Sequence, residues 1–194
     1  ASYNTAVGTC TLYANTTGAC LVAVGFQSLR SNTTGQYHTA VGYKTLQANT
    51  TASYNTAFGV CALYQNTTGF SNVALGPWTL RDNTTGCCNI AVGYQSLRTN
   101  TSGKNNTAVG MNNMMFHTTG NYNVSVGDMS LHCNTTASYN TSVGSCALYA
   151  NTTGAYNVAS GFQALKANTT ACFNTAVGSC ALYANTTGAD NTAV

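Results

Sequence analysis

The asparagines of a recurring Asn-Thr-Thr or Asn-Thr-Ser triplet have the plainest chemical potential in this sequence. The triplet is the acceptor motif for N-linked glycosylation, in which the side-chain amide carries the sugar. It also suits a turn at which Asn and Thr side chains bond to neighbouring backbone groups. Two interpretations therefore stay open, a coat of N-glycans and a stacked hydrogen-bonded ladder. The ten candidates are Asn15, Asn32, Asn49, Asn66, Asn83, Asn100, Asn134, Asn151, Asn168 and Asn185.

A second set of residues mixes aromatic and basic side chains at spacings of 17 residues or a multiple of 17. Aromatic rings and cations together stack on sugars or hold an anionic polymer, so the set is a candidate binding stripe. The alternative is a solvated row in which Tyr and Arg side chains stack on each other. The stripe residues are Tyr13, Arg30, Tyr64, Arg81, Arg98, Tyr149, Lys166 and Tyr183.

Histidines and carboxylates are too few and too scattered to predict catalysis. Glutamate is absent, and each histidine and aspartate occupies a different position of the repeat described below. Acid–base and triad chemistry needs such groups within hydrogen-bond reach of one another. We therefore expect no catalytic residue, no metal or other cofactor and no enzymatic activity. The residues concerned are His38, His117, His132, Asp82, Asp128 and Asp190.

The nine cysteines contain no Cys-x-x-Cys pair, which argues against a zinc or thioredoxin-like site. Disulfides, for example Cys10 with Cys20 or Cys172 with Cys180, and buried free thiols both stay open as interpretations.

Composition restricts the partners of this chain. Only 5% of the residues are charged and the net charge is +3, so nucleic acid is not an expected partner. No run approaches the roughly 18 apolar residues of a membrane span, and the first residues do not resemble a signal peptide. A neutral polar surface predicts either burial in an assembly or a coat of sugar.

A repeat of 17 residues positions all of these groups, and it runs through the chain without insertion or deletion. Counted from Tyr3, the consensus is Y-N-T-A-V-G-x-x-[AST]-L-x-x-N-T-T-G-x, and its positions are called columns one to seventeen. Residues 1–194 therefore form a single continuous array. Its coils start near residues 3, 20, 37, 54, 71, 88, 105, 122, 139, 156, 173 and 190.

Seventeen residues with two glycine-containing breakers leave room for two short strands and two turns, and not for a helical repeat. Column four is always Ala or Ser, columns three and five are mostly β-branched, and column ten is Leu except at Met114. The sequence predicts an all-β fold, a parallel β-solenoid or β-roll of about eleven coils. Neither end carries an atypical capping repeat, so we expect an uncapped segment of a longer array.

The Thr-Ala-Val element of each coil is apolar on both sides. A strand that is apolar on both faces is usually buried on both, and a single solenoid has only one interior. The second face should therefore meet other copies of the chain, which predicts lateral self-association.

The segments NIAVGYQSL from Asn89 and ALYANTTG in the last full repeat resemble repeats of known surface fibres. The whole chain is similar to tandem repeats of phage tail-fibre and tail-spike-like proteins. More loosely, it resembles the YadA-type head of trimeric autotransporter adhesins, a left-handed parallel β-roll. The resemblance implies a homotrimer or fibre bundle, an extracellular or surface-exposed location, and binding of surface glycans.

These observations lead to one main expectation about function. The chain is expected to be a structural protein that forms an extracellular fibre by lateral and end-to-end self-association, with or without N-glycans. The alternatives are an adhesin or tail-fibre module that binds surface glycans and, as a minor one, an ice-binding solenoid.

Overall fold

The computed structural model describes residues 2–194, and Ala1, the first residue of the predicted array, lies outside the described residues. The described chain forms a β-strand wherever the repeat reaches columns three to five. The strands are β1 (Thr5–Val7), β2 (Val22–Val24), β3 (Thr39–Val41), β4 (Thr56–Phe58), β5 (Val73–Leu75), β6 (Ile90–Val92), β7 (Thr107–Val109), β8 (Val124–Val126), β9 (Thr141–Val143), β10 (Val158–Ser160), β11 (Thr175–Val177) and β12 (Thr192–Ala193).

All twelve strands belong to one parallel sheet whose spatial order is the order of the chain. Each residue pairs with its equivalent in the next coil, as Thr5 does with Val22 and Ala6 with Ala23. The chain therefore advances by one strand spacing, about 4.8 Å, with each turn. The predicted all-β parallel solenoid is confirmed.

The second half of each coil differs from the prediction of two strands, because only columns three to five form a strand. In columns eight and ten the backbone has positive φ, for example 56° at Gln27 and 49° at Leu29. This left-handed geometry costs an L-residue roughly 1–2 kcal/mol. It turns both Ser28 and Leu29 into the core, although they are neighbours in sequence and would point to opposite sides of a strand.

The backbone of this half is nevertheless paired between coils. The N–H of Leu29 donates to the carbonyl of Thr45 in the next coil at 3.0 Å, and the N–H of Gln27 donates to Thr9 in the previous coil at 3.0 Å. The pairing satisfies backbone groups that would otherwise be buried without partners.

The apolar side of the core consists of the column-ten leucines and the column-four alanines. Leu46, Leu63 and Leu80 are fully buried, as are Ala40, Ala57 and related residues across the coil. Stacking places each leucine over the next, so most interior coils contribute the same apolar layer. A residue of a different size would disturb the packing of three coils, its own and the two adjacent ones.

Column six requires glycine for two reasons, which Gly76 illustrates. Its φ is 131°, in a region of backbone conformation that residues other than glycine rarely adopt. A Cβ added there would lie 2.8 Å from the carbonyl oxygen of Gly93 in the next coil. The close approach of successive coils at this corner therefore depends on the missing side chain.

We predict that Gly76→Ala lowers the thermal midpoint of unfolding more than Gly178→Ala does in the same 194-residue chain. Both changes place alanine at positive φ, at a cost of about 1–3 kcal/mol. Only the first adds a collision, because in the 194-residue chain no carbonyl of a following coil lies against Gly178, and the nearest atom to a Cβ there is 3.9 Å away, on Ala181. Circular dichroism melts measure the difference, and equal losses would show that coil contact does not limit column six.

Candidate functional site

The column-thirteen asparagines, which are the candidate glycosylation sites, line the interior of the solenoid. Asn66 donates from Nδ2 to Oδ1 of Asn49 at 3.1 Å and to the carbonyl of Gly69 at 2.8 Å. Asn83 donates in the same way to Asn66 at 2.7 Å and to Gly86 at 3.0 Å. The repetition of these bonds forms the column-thirteen ladder, which runs parallel to the rod axis.

A second ladder is formed by the asparagines of column two. Oδ1 of Asn55 accepts the backbone N–H of Asn72 in the next coil at 2.9 Å. Its Nδ2 donates to the carbonyl of Gly69 at 2.8 Å, the same oxygen that accepts from Asn66. The two ladders thus converge on one carbonyl in most coils, and they form the polar side of the core; in the second coil, Leu21 replaces the column-two asparagine.

This geometry bears directly on the glycan interpretation. Asn32, Asn49, Asn66, Asn83, Asn100, Asn134, Asn151 and Asn168 are 0% exposed, while Asn15 and Asn185 in the outer coils are partly buried. A sugar on Nδ2 would replace a proton that the fold uses and would need space inside the coil. The structure favours the hydrogen-bonded ladder over the sugar coat.

Two histidines replace asparagine in the ladders, a role that the sequence analysis did not identify. His38 stands in column two, where its Nε2 lies 2.7 Å from the carbonyl oxygen of Ala52 and its Nδ1 accepts the N–H of Asn55 at 3.1 Å. His117 stands in column thirteen, where its Nε2 lies 2.8 Å from the carbonyl oxygen of Gly120. In each ring Nε2 must donate and Nδ1 must accept, so both rings are neutral.

His117 satisfies the hydrogen-bonding groups of the neighbouring ladder residues less fully than asparagine would. Its Nδ1 accepts from Nδ2 of Asn134 at 2.9 Å, but no donor reaches Oδ1 of Asn100, which is buried without a partner. Burial lowers the pKa of His117 to about 4, and it also lowers the pKa of His38. Protonation would remove the acceptor at Nδ1 and place a charge in the core.

The candidate binding stripe lies along one side of the rod, in column eleven, as its spacing predicts. The Arg30 guanidinium lies 5.9 Å from the centre of the Tyr13 ring, and Lys166 Nζ lies 5.5 Å from that of Tyr183. Arg81 is bound by Asp82, with 2.7 Å between Nε and Oδ1.

In the middle of the stripe, the side chains are less available to a ligand than the sequence suggests. Tyr64, Arg98 and Tyr149 are half-buried, and Tyr149 stacks on His132 with ring centres 5.2 Å apart. Several cations and rings of the stripe are thus engaged with each other, as the alternative interpretation of the stripe expects.

All nine cysteines carry free thiols, so neither suggested disulfide is present. Burial raises the pKa values of the Cys61, Cys87 and Cys133 thiols, which keeps these groups protonated and weakly nucleophilic at neutral pH. Among residues 2–194, no three His, Cys or Asp side chains lie together in the way that a metal site needs.

The outer face of the sheet is an extensive exposed surface and a candidate interaction site. Side chains of columns three and five point away from the core, and Val22, Ile90, Val143 and Val158 are each about 40% exposed. Column one on one side and column seven on the other add exposed aromatic rings, such as Phe162, which is 52% exposed. These four columns are called the outer face below.

Comparison of the chain with models of protein families, with curated proteins and with solved structures finds no match. The fold therefore defines the class, a parallel β-solenoid. Residues 2–194 contain no helical segment with the length and hydropathy of a transmembrane span.

We predict that the protein loses stability as the pH falls from about 6.5 to about 4, because unfolded histidine binds a proton in this range and buried His117 does not. His117→Asn should remove the part of this loss that His117 causes, about 3 kcal/mol of the free energy of unfolding between pH 6.5 and pH 4. At neutral pH it should also stabilise the fold by about 1–3 kcal/mol, since the new amide can donate to Asn100.

Urea unfolding at pH 7.5 and at pH 4.5 measures both effects. His132→Asn is the matched control for replacing a histidine, because this half-buried side chain lies outside the two ladders. An equal pH dependence in His117→Asn and the native protein would contradict the role of the buried ring.

We also predict that the folded protein carries no N-glycan on the eight fully buried asparagines, even after passage through a secretory pathway that glycosylates other proteins. A sugar attached before folding would prevent the coil from closing. Peptide mapping should find all eight of these asparagines unmodified. A mass excess removed by a glycosidase and mapped to Asn66 or Asn83 would refute this.

Proposed function

We propose that this protein is a non-catalytic structural rod that assembles with copies of itself side by side through the outer face. The observation that carries the proposal is the composition of that face. Its columns contain valine, isoleucine, threonine and aromatic residues in almost every coil, and the only charged residues in them are Asp128 and Asp190.

The distribution of charge supports the same proposal. All six lysines and arginines lie in other columns, four of them in column eleven, so the cations avoid the outer face. Protein interfaces are depleted of charge at their centres and enriched in aromatic residues in the same way. A surface selected only for solubility would distribute its few charges around the rod.

The size of the outer face is sufficient for a stable complex. Seven columns at about 3.3 Å and eleven coils at about 4.8 Å give a footprint of about 1,200 Å². A standard interface buries about 800 Å² on each partner, and isolated proteins rarely expose apolar patches of more than a few hundred Å². A sheet face of this shape fits one other such face, so we propose a pair of rods as the basic unit.

Continuation along the axis would use the pairing that already joins successive coils. β1 and β12 each have one neighbour within the sheet, and an open strand edge pairs readily with another strand. Further repeats of the same chain or a second chain would extend the rod into a filament. The resemblance to phage fibres and adhesin heads supports a surface or extracellular location and offers the trimer as an alternative.

We predict that Val143→Lys, in column five, converts the assembled protein to single rods without unfolding it. An unpaired ammonium buried in an interface costs roughly 3–5 kcal/mol, so the dissociation constant should rise on the order of 100-fold or more. Light scattering coupled to size-exclusion chromatography measures the mass, and circular dichroism checks the fold.

Thr153→Lys is the matched control, because it adds the same charge to the same coil on an exposed position outside the four columns of the outer face. It should leave the assembly intact. A native protein that stays monomeric at high concentration would end the proposal. A native mass of three chains would favour the trimer over the pair.

A further inference from the structure

Column one carries a row of stacked aromatic rings beside the sheet. Tyr122, Tyr139, Tyr156 and Phe173 follow one another with ring centres 4.9 to 5.2 Å apart and planes within 7° of parallel. The rings inside such a row have both faces covered by neighbours. Only the edges of Tyr139 and Tyr156 are therefore available to a ligand.

The row is interrupted at Tyr122. In the preceding coil the equivalent residue is Asn105, so one face of the Tyr122 ring has no aromatic neighbour. An open groove of about 480 Å³ lies here, and both Tyr122 and Asn105 line it. This groove extends over the coils between residues 85 and 122.

Uncommitted polar groups surround the exposed ring. The hydroxyls of Thr85, Ser102 and Thr119 line the groove in successive coils, about 4.8 Å apart. Across residues 2–194 these hydroxyls and the Asn105 amide have no hydrogen-bond partner in the protein, so they are free to bind a ligand.

Two hydrogen bonds fix the position of Asn121 beside the groove. Its Oδ1 accepts the backbone N–H of Lys104 at 2.8 Å, and its backbone N–H donates to Oγ of Ser138 at 2.9 Å. The fixed carbonyl leaves both protons of Nδ2 available to an acceptor in the groove.

Lys104 gives the groove a positive charge. The one ion pair found among residues 2–194 joins Arg81 to Asp82, so the Lys104 ammonium has no carboxylate partner in the described chain. No carboxylate lines the groove. An anionic group on a ligand would supply the missing partner.

We propose that this groove binds an acidic saccharide. A pyranose ring has an apolar face of C–H bonds, which packs on the negative face of an aromatic ring, and an edge of hydroxyls. Tyr122 supplies the ring, while the amides of Asn105 and Asn121 and the three hydroxyls supply partners for the edge. Lys104 selects a sugar that carries a carboxylate or sulfate. Such a convergence of polar groups around an apolar surface is typical of ligand sites.

The experiment is a calorimetric titration with two probes of equal length, a galacturonic acid tetrasaccharide and cellotetraose, which is neutral. The acidic probe should bind more tightly, and the difference should shrink as salt is added because the Lys104 contact is exposed. Lys104→Gln should abolish the preference while weak binding of both sugars persists. Equal affinity of the native protein for the two probes would overturn the assignment to acidic sugars.

Asn105→Tyr provides the sharpest variant. It should extend the stacked row over Tyr122, fill the groove and reduce binding at least about tenfold, while the thermal midpoint stays the same or rises. Tyr122→Ala should weaken binding to a similar degree. Tyr54→Ala is the control, because Tyr54 ends another stacked pair, with Tyr37, beside Ser71 and without a neighbouring lysine.

Titrating both the native protein and Val143→Lys separates this inference from lateral assembly. The groove should bind the acidic probe in single rods whether or not native rods pair. If Val143→Lys is folded and monomeric yet binds neither probe, or if Asn105→Tyr binds as well as the native protein, the groove is not a saccharide site.

Discussion

The interior hydrogen bonds between asparagines are the constraint on which the rest of the structure depends. In most interior coils two side-chain amides meet one backbone carbonyl, as Asn55 and Asn66 do at Gly69. Buried amides are costly unless they are satisfied, and here the partners of each coil include groups of the next coil. A single coil could not satisfy them alone, so the ladders link the stability of every coil to its neighbours.

This dependence explains why the repeat length never changes. A one-residue insertion would move the asparagines of one coil out of register with the next and would leave several buried polar atoms without partners. Gly76 and its equivalents impose the same condition from another corner, because they let successive backbones approach closely. The leucines add burial in each coil, but an apolar layer alone would tolerate a shift more easily than directional bonds do.

Much of this was predictable from the sequence, because the solenoid follows from the fixed period and the breakers. The leucine column and the outward valines follow from pattern as well. The left-handed backbone at Leu29 was not predictable, since leucine rarely adopts positive φ and nothing local favours it. The burial of Asn66 was also undecided, because its Asn-Thr-Thr triplet fits both a surface acceptor and an interior ladder. What distinguishes them is the direction of one side chain, which only the closed coil determines.

The same division between interior and surface determines where this protein can vary. Inside, position 117 shows that even a residue with matching donor and acceptor atoms leaves Oδ1 of Asn100 unsatisfied, so the column-thirteen ladder allows little change. Outside, column one accepts tyrosine, phenylalanine, cysteine, serine and asparagine without altering the backbone pairing. An exposed column can therefore acquire a binding groove through one substitution, as at Asn105, because the ladders within the rod maintain the fold independently of it. A regular scaffold of this kind can therefore carry a local recognition site on an exposed column while its interior stays unchanged.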